Sequence, residues 1–187
     1  RVKATIYETA TMAHPIWPLY DLEVRTPRLT LRYVDDTLAT ELALLAARGV
    51  HDPATMPFTT TWTDVPSPEL EPNTLRHYWE QRASTRPASW NLHMAAIVDG
   101  EVVGTQGVSA DDFALLGAFQ TGSWLGQEYQ RQGYGTEMRR ASLALGFNGL
   151  GARTAHTTAW QDNTASLSVT RPLGYEVRAS PTWSPDS

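Results

Sequence analysis

Cysteine is absent from this 187-residue sequence, and lysine occurs once, as Lys3. Without cysteine the chain can form no disulfide, no thiolate nucleophile and no cysteine-ligated zinc site. One lysine against fourteen arginines also argues against a catalytic lysine or a Schiff base. A chain without cysteine is consistent with a reducing compartment, and we expect a cytoplasmic protein.

Long apolar runs are missing too. No stretch approaches the roughly 20 apolar residues that a membrane-spanning helix needs, and residues 1–11 lack the apolar core of a secretion signal. The formal net charge of −5 argues against nucleic acid as a partner, because phosphate binding requires a basic face. An acidic surface tolerates a cationic amine substrate, although it also serves solubility alone. We therefore expect neither a membrane nor a nucleic acid among the partners.

The length fits one domain with a sizeable core, and 41% hydrophobic with 19% charged residues is typical of a soluble globular protein. Residues 1–25 show no clean periodicity and contain two prolines, which favours an N-terminal arm over the surface. Within this arm, residues 1–11 read as a leader or cloning remnant if Met12 is the natural initiator. We expect residues 26–187 to form the single domain.

Hydrophobic periodicity places alternating strands and helices along this domain. Leu29, Leu31 and Tyr33 alternate with polar residues, as in a half-buried strand, and Asp35 or Asp36 can cap the helix that follows. The further predicted elements are a proline-rich aromatic loop over 50–72, a helix over 73–85, a hairpin of strands 92–98 and 101–108, a strand over 118–125, a helix after residue 133, a strand over 153–160, a short helix opened by Asn163, and a last strand beginning over 175–178.

The helix after residue 133 has an apolar stripe formed by Tyr134, Met138, Ala141 and Leu145. Arg139 and Arg140 are expected on its outer face. Because a strand precedes this helix and another follows it, the two strands are predicted to be parallel. The tail after Gly174 contains two prolines, which oppose a central strand. A closing strand is therefore lost, very short, or supplied by a partner chain, which leaves a homodimer open.

Residues 130–136 (QRQGYGT), here called the glycine turn, lie between a predicted strand and this helix. Their spacing is Gln-x-x-Gly-x-Gly. Glycines let the backbone approach a ligand closely, and a helix beginning offers unpaired N–H groups and a positive dipole end. Arg131 adds a positive charge. The turn predicts a phosphate or pyrophosphate site, although Gly133 and Gly135 could also serve the turn alone.

Two familiar phosphate loops do not fit the glycine turn. A dinucleotide fingerprint needs a third glycine where Met138 stands, and a Walker loop needs a lysine that is absent. What remains resembles the acyl-CoA loop of the GNAT acyltransferase superfamily, Gln/Arg-x-x-Gly-x-Gly/Ala. Residues 162–166 (DNTAS) and 173–175 (LGY) resemble the family's Asn-x-x-Ser and Leu-Gly-Phe/Tyr segments. Residues 26–32 (TPRLTLR) resemble the opening strand of the branch with the ribosomal-protein N-terminal acetyltransferases.

The resemblance implies an α/β fold with a mostly antiparallel sheet, a splayed parallel strand pair and flanking helices. It implies that acyl-CoA lies between the splayed strands, with the Leu125 amide on the thioester oxygen. Ser166 would protonate the departing thiolate, and Asn163 would bond the pantetheine arm or simply cap its helix. The residues expected to hold the rest of the cofactor are Gln130, Arg131, Gln132, Gly133, Tyr134, Gly135 and Thr136.

Several parts of the implied chemistry stay open. Many relatives carry a tyrosine as the acid where this chain has Thr170, so Ser166 is the substitute, unless it is a solvent-facing helix residue. The general base is unassigned; His51 and Asp112 are the candidates, with Asp52 and Asp111 beside them, and Asp111 and Asp112 also fit a turn between strands. No histidine spacing requires a metal.

The resemblance predicts N-acyl transfer from acyl-CoA to a primary amine, in a small molecule or at a protein N-terminus, by direct attack in a ternary complex. Acetyl is the default acyl group, and succinyl is an alternative among similar enzymes. A non-catalytic GNAT domain that binds acyl-CoA as a sensor or scaffold is the main rival. A plain nucleotide-binding protein is a third reading.

Overall fold

A computed structural model describes residues 14–178 of the chain. Its strands and helices in chain order are β1 (Glu23–Arg25), β2 (Thr30–Tyr33), α1 (Asp36–Ala47), α2 (Leu70–Ser84), β3 (Ser89–Val98), β4 (Glu101–Asp111), α3 (Phe113–Leu116), β5 (Ala118–Leu125), α4 (Tyr134–Ala144), β6 (Thr154–His156) and α5 (Thr164–Thr170). The expected N-terminal arm falls partly on residues 1–13, outside the described residues, while β1 adds its last part to the sheet.

Within residues 14–178 the strands form one sheet in the order β1-β2-β3-β4-β5-β6. Every neighbouring pair is antiparallel except β5 and β6, which are parallel. This confirms the predicted α/β fold with a mostly antiparallel sheet and one parallel pair around α4. The predicted strand over 118–125 is confirmed residue for residue as β5.

The β3–β4 hairpin turns at Asp99 and Gly100, as the Asp-Gly pair predicts. Both residues have positive φ, 50° and 87°, which is the geometry of a two-residue turn whose twist matches the flanking strands. The hairpin is longer than predicted and extends from Ser89 to Asp111.

The sheet separates two helical layers. On one face α4 packs over a core that includes Leu31, Met94 and Phe119. On the other face α1 and α2 pack over Ala95 and Val102. Asp35 caps α1 by accepting from the Leu38 amide at 2.8 Å, as predicted. A ligand can therefore reach the strands from two separate sides, one beside α4 and the other beside α1 and α2.

Three elements differ from the prediction. Helix α2 begins at Leu70 rather than at residue 73, because Pro72 lies in the first turn, where an N–H has no intrahelical partner to lose. The strand predicted over 153–160 pairs only as Thr154–His156, and residues 175–178 form no strand. The remainder of the tail, with any closing strand, lies outside the described residues.

Arg139 was expected on the outer face of α4 and is instead buried, with 3% of its surface exposed. Its guanidinium reaches past the apolar stripe to the strands, where it donates to Thr157 Oγ1 at 3.0 Å and Ser123 Oγ at 3.3 Å. Arg140 is exposed, as predicted. The prediction failed because a long side chain next to the stripe can turn inward when the strands beneath it leave space.

His93 on β3 is half-buried as a residue, but both of its ring nitrogens are enclosed between α2 and the sheet, with the His77 ring at 5.1 Å and the Tyr78 ring at 5.3 Å. Within the described chain neither ring nitrogen of His93 has a hydrogen-bond partner. Burial, with a smaller contribution from His77, lowers the pKa of His93 to about 3. The folded protein therefore keeps this imidazole neutral at a pH where an unfolded chain protonates it.

We expect the free energy of unfolding to fall on acidification between about pH 6.5 and pH 3, because over this range the unfolded state binds a proton that folded His93 does not. The loss attributable to His93 is at most about 1.4 kcal/mol per pH unit. Urea unfolding at a series of pH values measures it. His93→Phe should flatten the slope and His156→Phe, at an exposed position of β6, should not; equal slopes in both variants would contradict the assignment.

Candidate active site

Strands β5 and β6 separate after a short paired stretch. Their register pairs Ala118 with Thr154 and ends where Gln120 pairs with His156. Beyond that point the contact passes to side chains, since Thr157 Oγ1 donates to the Thr121 carbonyl at 2.9 Å. The space between residues 121–125 and 157–160, here called the strand gap, has no backbone ladder across it.

The Leu125 amide faces this strand gap. The Gly126 amide donates to the Val103 carbonyl at 3.0 Å, and the register pairs Leu125 with Gly104. Hydrogen-bonded and non-hydrogen-bonded pairs alternate along an antiparallel ladder, so Leu125 belongs to a non-hydrogen-bonded pair. Its N–H and C=O therefore point away from β4, to the side where β6 has separated. By the same alternation the Ser123 amide points the same way.

The glycine turn leads from β5 into α4 with backbone conformations that few residues adopt. Arg131 has φ 61° and Gly133, which precedes the first residue of α4, has φ 83°. Within residues 14–178 no group accepts from the amides of residues 131–136; the next amide, that of Glu137, donates to the Gly133 carbonyl. Six consecutive donors at the positive end of a helix are the backbone arrangement that binds anions.

Gln130 supports the turn from beneath. Its Nε2 donates to the Val50 carbonyl at 2.6 Å and the Leu125 carbonyl at 3.0 Å. The side chain of Gln130 thereby links the loop that follows α1, the end of β5 and the glycine turn. The motif glutamine holds the turn in shape with its side chain, a role that its position in the sequence does not reveal.

Arg28 lies beside the glycine turn and was missed by the sequence reasoning. It donates to the Gln132 carbonyl at 3.0 Å and to Glu137 at 2.6 Å, and its guanidinium stands 5.0 Å from the Tyr134 ring centroid. A Cβ at Gly133 would lie 3.2 Å from Arg28 Nη2. Its place in the motif over residues 26–32 was the available signal. Arg28 and Arg131 together place two positive charges beside the unpaired amides.

Glu137 holds Arg28 in this position. Desolvation alone would raise the pKa of this carboxyl, but hydrogen bonds from Thr26 and from Arg28 outweigh it and hold the pKa below its ordinary value. Thr26 Oγ1 donates at 2.6 Å and the Arg28 amide at 3.1 Å. Glu137 therefore stays ionised and acts structurally, by holding Arg28 in place.

Helix α5 lies across the strand gap from β5. Asn163 caps it, with Oδ1 accepting from the Ser166 amide at 2.9 Å, and its Nδ2 donates to the Pro57 carbonyl at 3.0 Å. A Cβ at Gly135 would meet Val169 at 3.4 Å, so α5 packs closely on the first turn of α4. The capping role predicted for Asn163 is confirmed.

The Ser166 hydroxyl is half-buried, and within residues 14–178 it forms no hydrogen bond. Its backbone is engaged, since the amide is capped by Asn163 and the carbonyl accepts from Thr170 at 2.7 Å. The side chain of Ser166 is thus available to a ligand, whereas the Thr170 hydroxyl is committed to the helix.

The loop over residues 48–69 closes one side of this region with aromatic side chains. Phe58, Trp62 and Trp124 follow one another with ring centroids 5.4 and 5.7 Å apart. His51 contacts the Phe58 ring at 5.6 Å, and its two ring nitrogens bond the Asp52 carbonyl at 2.9 Å and Thr63 Oγ1 at 2.7 Å. Both nitrogens of His51 are therefore used within the loop.

Asp112 is the predicted residue that the fold separates from the others. It follows β4, has φ 46° and precedes α3, at the end of β5 opposite to Leu125. Seven residues of strand separate the two ends, about 23 Å at the usual rise. The fold places Leu125 and α5, which begins at the Asn163 cap and includes Ser166, against Gly135 of the glycine turn, and leaves Asp112 outside this group.

In the described part of the chain, no cluster of three or more histidine, aspartate or glutamate side chains could hold a metal ion. Nor does any helix over residues 14–178 have the length and apolarity to cross a membrane.

The sequence around these elements matches a known protein family. Residues 28–176 match the family model described as the acetyltransferase (GNAT) domain, which spans most of the chain. The chain belongs to the GNAT acetyltransferase family. The match includes β2, the glycine turn, α4 and α5, the elements around the strand gap.

Solved structures of GNAT acetyltransferases share this fold. RimL, a ribosomal L7/L12 α-N-protein acetyltransferase solved with coenzyme A, has a TM-score of 0.69 at 17% identity, over 82% of this chain and 83% of its own. RimJ of Mycobacterium smegmatis, solved with a CoA disulfide, has 0.66 at 20% identity, over 81% and 71%. The ribosomal-protein-S5-alanine acetyltransferase of Vibrio fischeri has 0.62 at 18% identity, over 82% of each chain.

Proposed function

We propose that this GNAT protein transfers an acyl group from acyl-CoA to a primary amine by direct attack in a ternary complex. The observation that carries the proposal is the row of unpaired amides over residues 131–136, placed at the beginning of α4 and beside the strand gap. The row offers donors for a diphosphate, and the strand edges that no ladder joins offer backbone groups to an extended arm attached to it. Coenzyme A has both parts.

The diphosphate is held by the backbone of Arg131, Gln132, Gly133, Tyr134, Gly135 and Thr136, supported from beneath by Gln130. Arg28 and Arg131 add positive charge. Arg28 loses little side-chain freedom when the diphosphate binds, because Glu137 already orients it. Gly133 admits the phosphate because any larger side chain would meet strained backbone and the Arg28 guanidinium. Charge-assisted bonds of this kind are stronger than bonds between neutral groups.

The pantetheine arm enters the strand gap, and the Leu125 amide donates to the thioester oxygen. The amine lone pair attacks the carbonyl carbon, and negative charge grows on that oxygen, where the amide stabilises it. The C–S bond then breaks and its electron pair passes to sulfur. The thiolate takes a proton from the Ser166 hydroxyl or from water, and Asn163 bonds the arm with its remaining amide hydrogen.

The acceptor approaches from the face of α1 and α2, opposite to α4. A Cβ added at Gly122 of β5 would meet no atom within 4 Å, so this face of the strand is open next to Ser123. The aromatic side chains Trp62 and Trp124 border it. We do not assign His51 as the general base, because both of its ring nitrogens are hydrogen-bonded within the loop. Water on this open face of β5 removes the proton from the ammonium group of the acceptor.

Gly122→Val should lower acyl transfer at least tenfold while leaving CoA affinity unchanged, because a small displacement of the attacking group costs this much or more. Open space around Gly122 lets the variant fold. Thiol release with a panel of amines measures transfer, and calorimetry with CoA provides the control. Unchanged transfer would place the acceptor elsewhere.

The family description makes acetyl-CoA the donor to test first, and a protein N-terminal amine is the acceptor that the likeness to RimL and RimJ favours. We also propose that the protein acts in the cytoplasm. A thermal-shift panel of CoA, acetyl-CoA, ATP and NAD, followed by thiol release with amines including an N-terminal peptide, tests it. Stabilisation by CoA over ATP and NAD together with amine-dependent release is expected. Stabilisation without release would favour a non-catalytic acyl-CoA sensor.

A further inference from the structure

Arg139 carries a buried positive charge that no acid in the described chain neutralises. Its side chain is 97% buried, and among residues 14–178 it forms no ion pair. The guanidinium donates to the neutral hydroxyls of Thr157 and Ser123, the Tyr175 hydroxyl lies within its reach, and its Nε has no acceptor. Burying a cation among neutral groups is costly, so a site that retains one gains from an anionic partner.

Further hydroxyl groups lie near Arg139 at the narrow end of the strand gap. Tyr175 and Thr121 approach each other with their hydroxyl oxygens 3.4 Å apart, and Thr121 Oγ1 also donates to the His156 carbonyl at 3.3 Å. Burial lowers the pKa of Arg139, and the neighbouring Tyr175 hydroxyl opposes this shift only in part. A guanidinium remains protonated nonetheless. The narrow end of the gap therefore holds one cation among hydroxyl groups.

This subsite lies beyond the thioester along the strand. Ser123 is two residues closer to the narrow end than Leu125, about 7 Å along β5. An acyl chain whose thioester oxygen meets the Leu125 amide continues toward Ser123 and Thr157, because the arm enters from the glycine turn. A chain of four carbons plus one charge-assisted hydrogen bond covers a comparable distance.

We propose that Arg139 binds a terminal carboxylate on the donor's acyl group, so that the preferred donor is a short dicarboxylic acyl-CoA of about succinyl length. The inference rests on the proposed function, since it assumes the thioester in the strand gap. Arg139 Nε and the rotatable hydroxyl of Ser123 supply the donors, since the Thr157 hydroxyl already donates to the Thr121 carbonyl. The reaction itself is unchanged, and the product amide carries the extra carboxylate.

Calorimetric titration with CoA, succinyl-CoA and butyryl-CoA tests the proposal without knowledge of the acceptor. Butyryl differs from succinyl by a methyl in place of the carboxylate. The unmodified protein should bind succinyl-CoA about 10- to 100-fold more tightly than butyryl-CoA, the range expected for hydrogen bonds to a charged group. Arg139→Met should abolish or reverse that ratio, and Arg140→Met, at the exposed arginine next to it on α4, should keep it.

Equal affinities of the unmodified protein for both donors, or an Arg139→Met variant that weakens both equally, would overturn the subsite while leaving the proposed function in place. Failure to bind CoA itself would overturn the proposed function as well. The ratio measured on the unmodified protein decides the matter even if Arg139→Met does not fold, and Arg139→Lys, which keeps the charge and loses the fork, should retain part of the preference.

Discussion

Gly133→Val is expected to abolish CoA binding, with a loss of affinity of at least about 100-fold. The residue has φ 83°, a conformation that a β-branched side chain rarely adopts, and its Cβ would press on Arg28 Nη2 at 3.2 Å. Valine would therefore shift the turn and place methyl groups where the diphosphate has to approach. Several charge-assisted bonds would be lost together. Calorimetry with CoA measures the affinity.

Gly151→Val is the matched control for this variant. Gly151 also has positive φ, 72°, and a Cβ there would meet no atom within 4 Å. It follows α4 in sequence, at the other end of that helix from the glycine turn. Both variants carry comparable backbone strain, so a shared loss of Tm is expected, whereas only Gly133→Val should lose CoA. Equal affinity in the two variants would contradict the assignment of the diphosphate to the turn.

Leu125→Pro is expected to lower kcat by about 100- to 1,000-fold, the effect of removing one donor from an oxyanion site. Proline removes the N–H that faces the strand gap and leaves the ladder to β4 intact, because Leu125 lies at a non-hydrogen-bonded pair. CoA affinity should change little, since the diphosphate contacts remain. Thiol release from acetyl-CoA with an amine acceptor gives kcat.

Trp124→Pro serves as the contrast to Leu125→Pro. The alternation places the Trp124 amide toward Thr105 on β4, so proline there removes a bond of the central ladder. We expect Trp124→Pro to lower the Tm more than Leu125→Pro does, because Leu125→Pro loses core packing of the side chain but no bond of the ladder. A folded Leu125→Pro with undiminished kcat would show that this amide does not meet the thioester oxygen.

The elements around the site could be predicted because their signals are local. The bounds of β5 follow from its alternation, and the Asp99-Gly100 turn and the Asp35 cap depend on residues close to them in sequence. The glycine turn was predicted for the same reason, since the seven consecutive residues 130–136 determine both the positive φ at Gly133 and the beginning of α4.

The parts that the sequence did not reveal depend on distant contacts. Arg28 meets Glu137 across 109 residues, and Gln130 meets the Val50 carbonyl across 80. The burial of Arg139 depends on how far β5 and β6 separate, which periodicity on α4 alone does not express. Asp112 was grouped with the site by residue type alone, although it precedes the predicted strand over 118–125 and Leu125 ends that strand.

A crystal structure of the protein with bound CoA tests the central claim most directly. The account predicts diphosphate oxygens within about 2.7–3.2 Å of amide nitrogens among residues 131–136, with the pantetheine arm between β5 and the segment after β6. Coenzyme A bound elsewhere, or a strand gap that stays closed by side chains while CoA is bound, would contradict it.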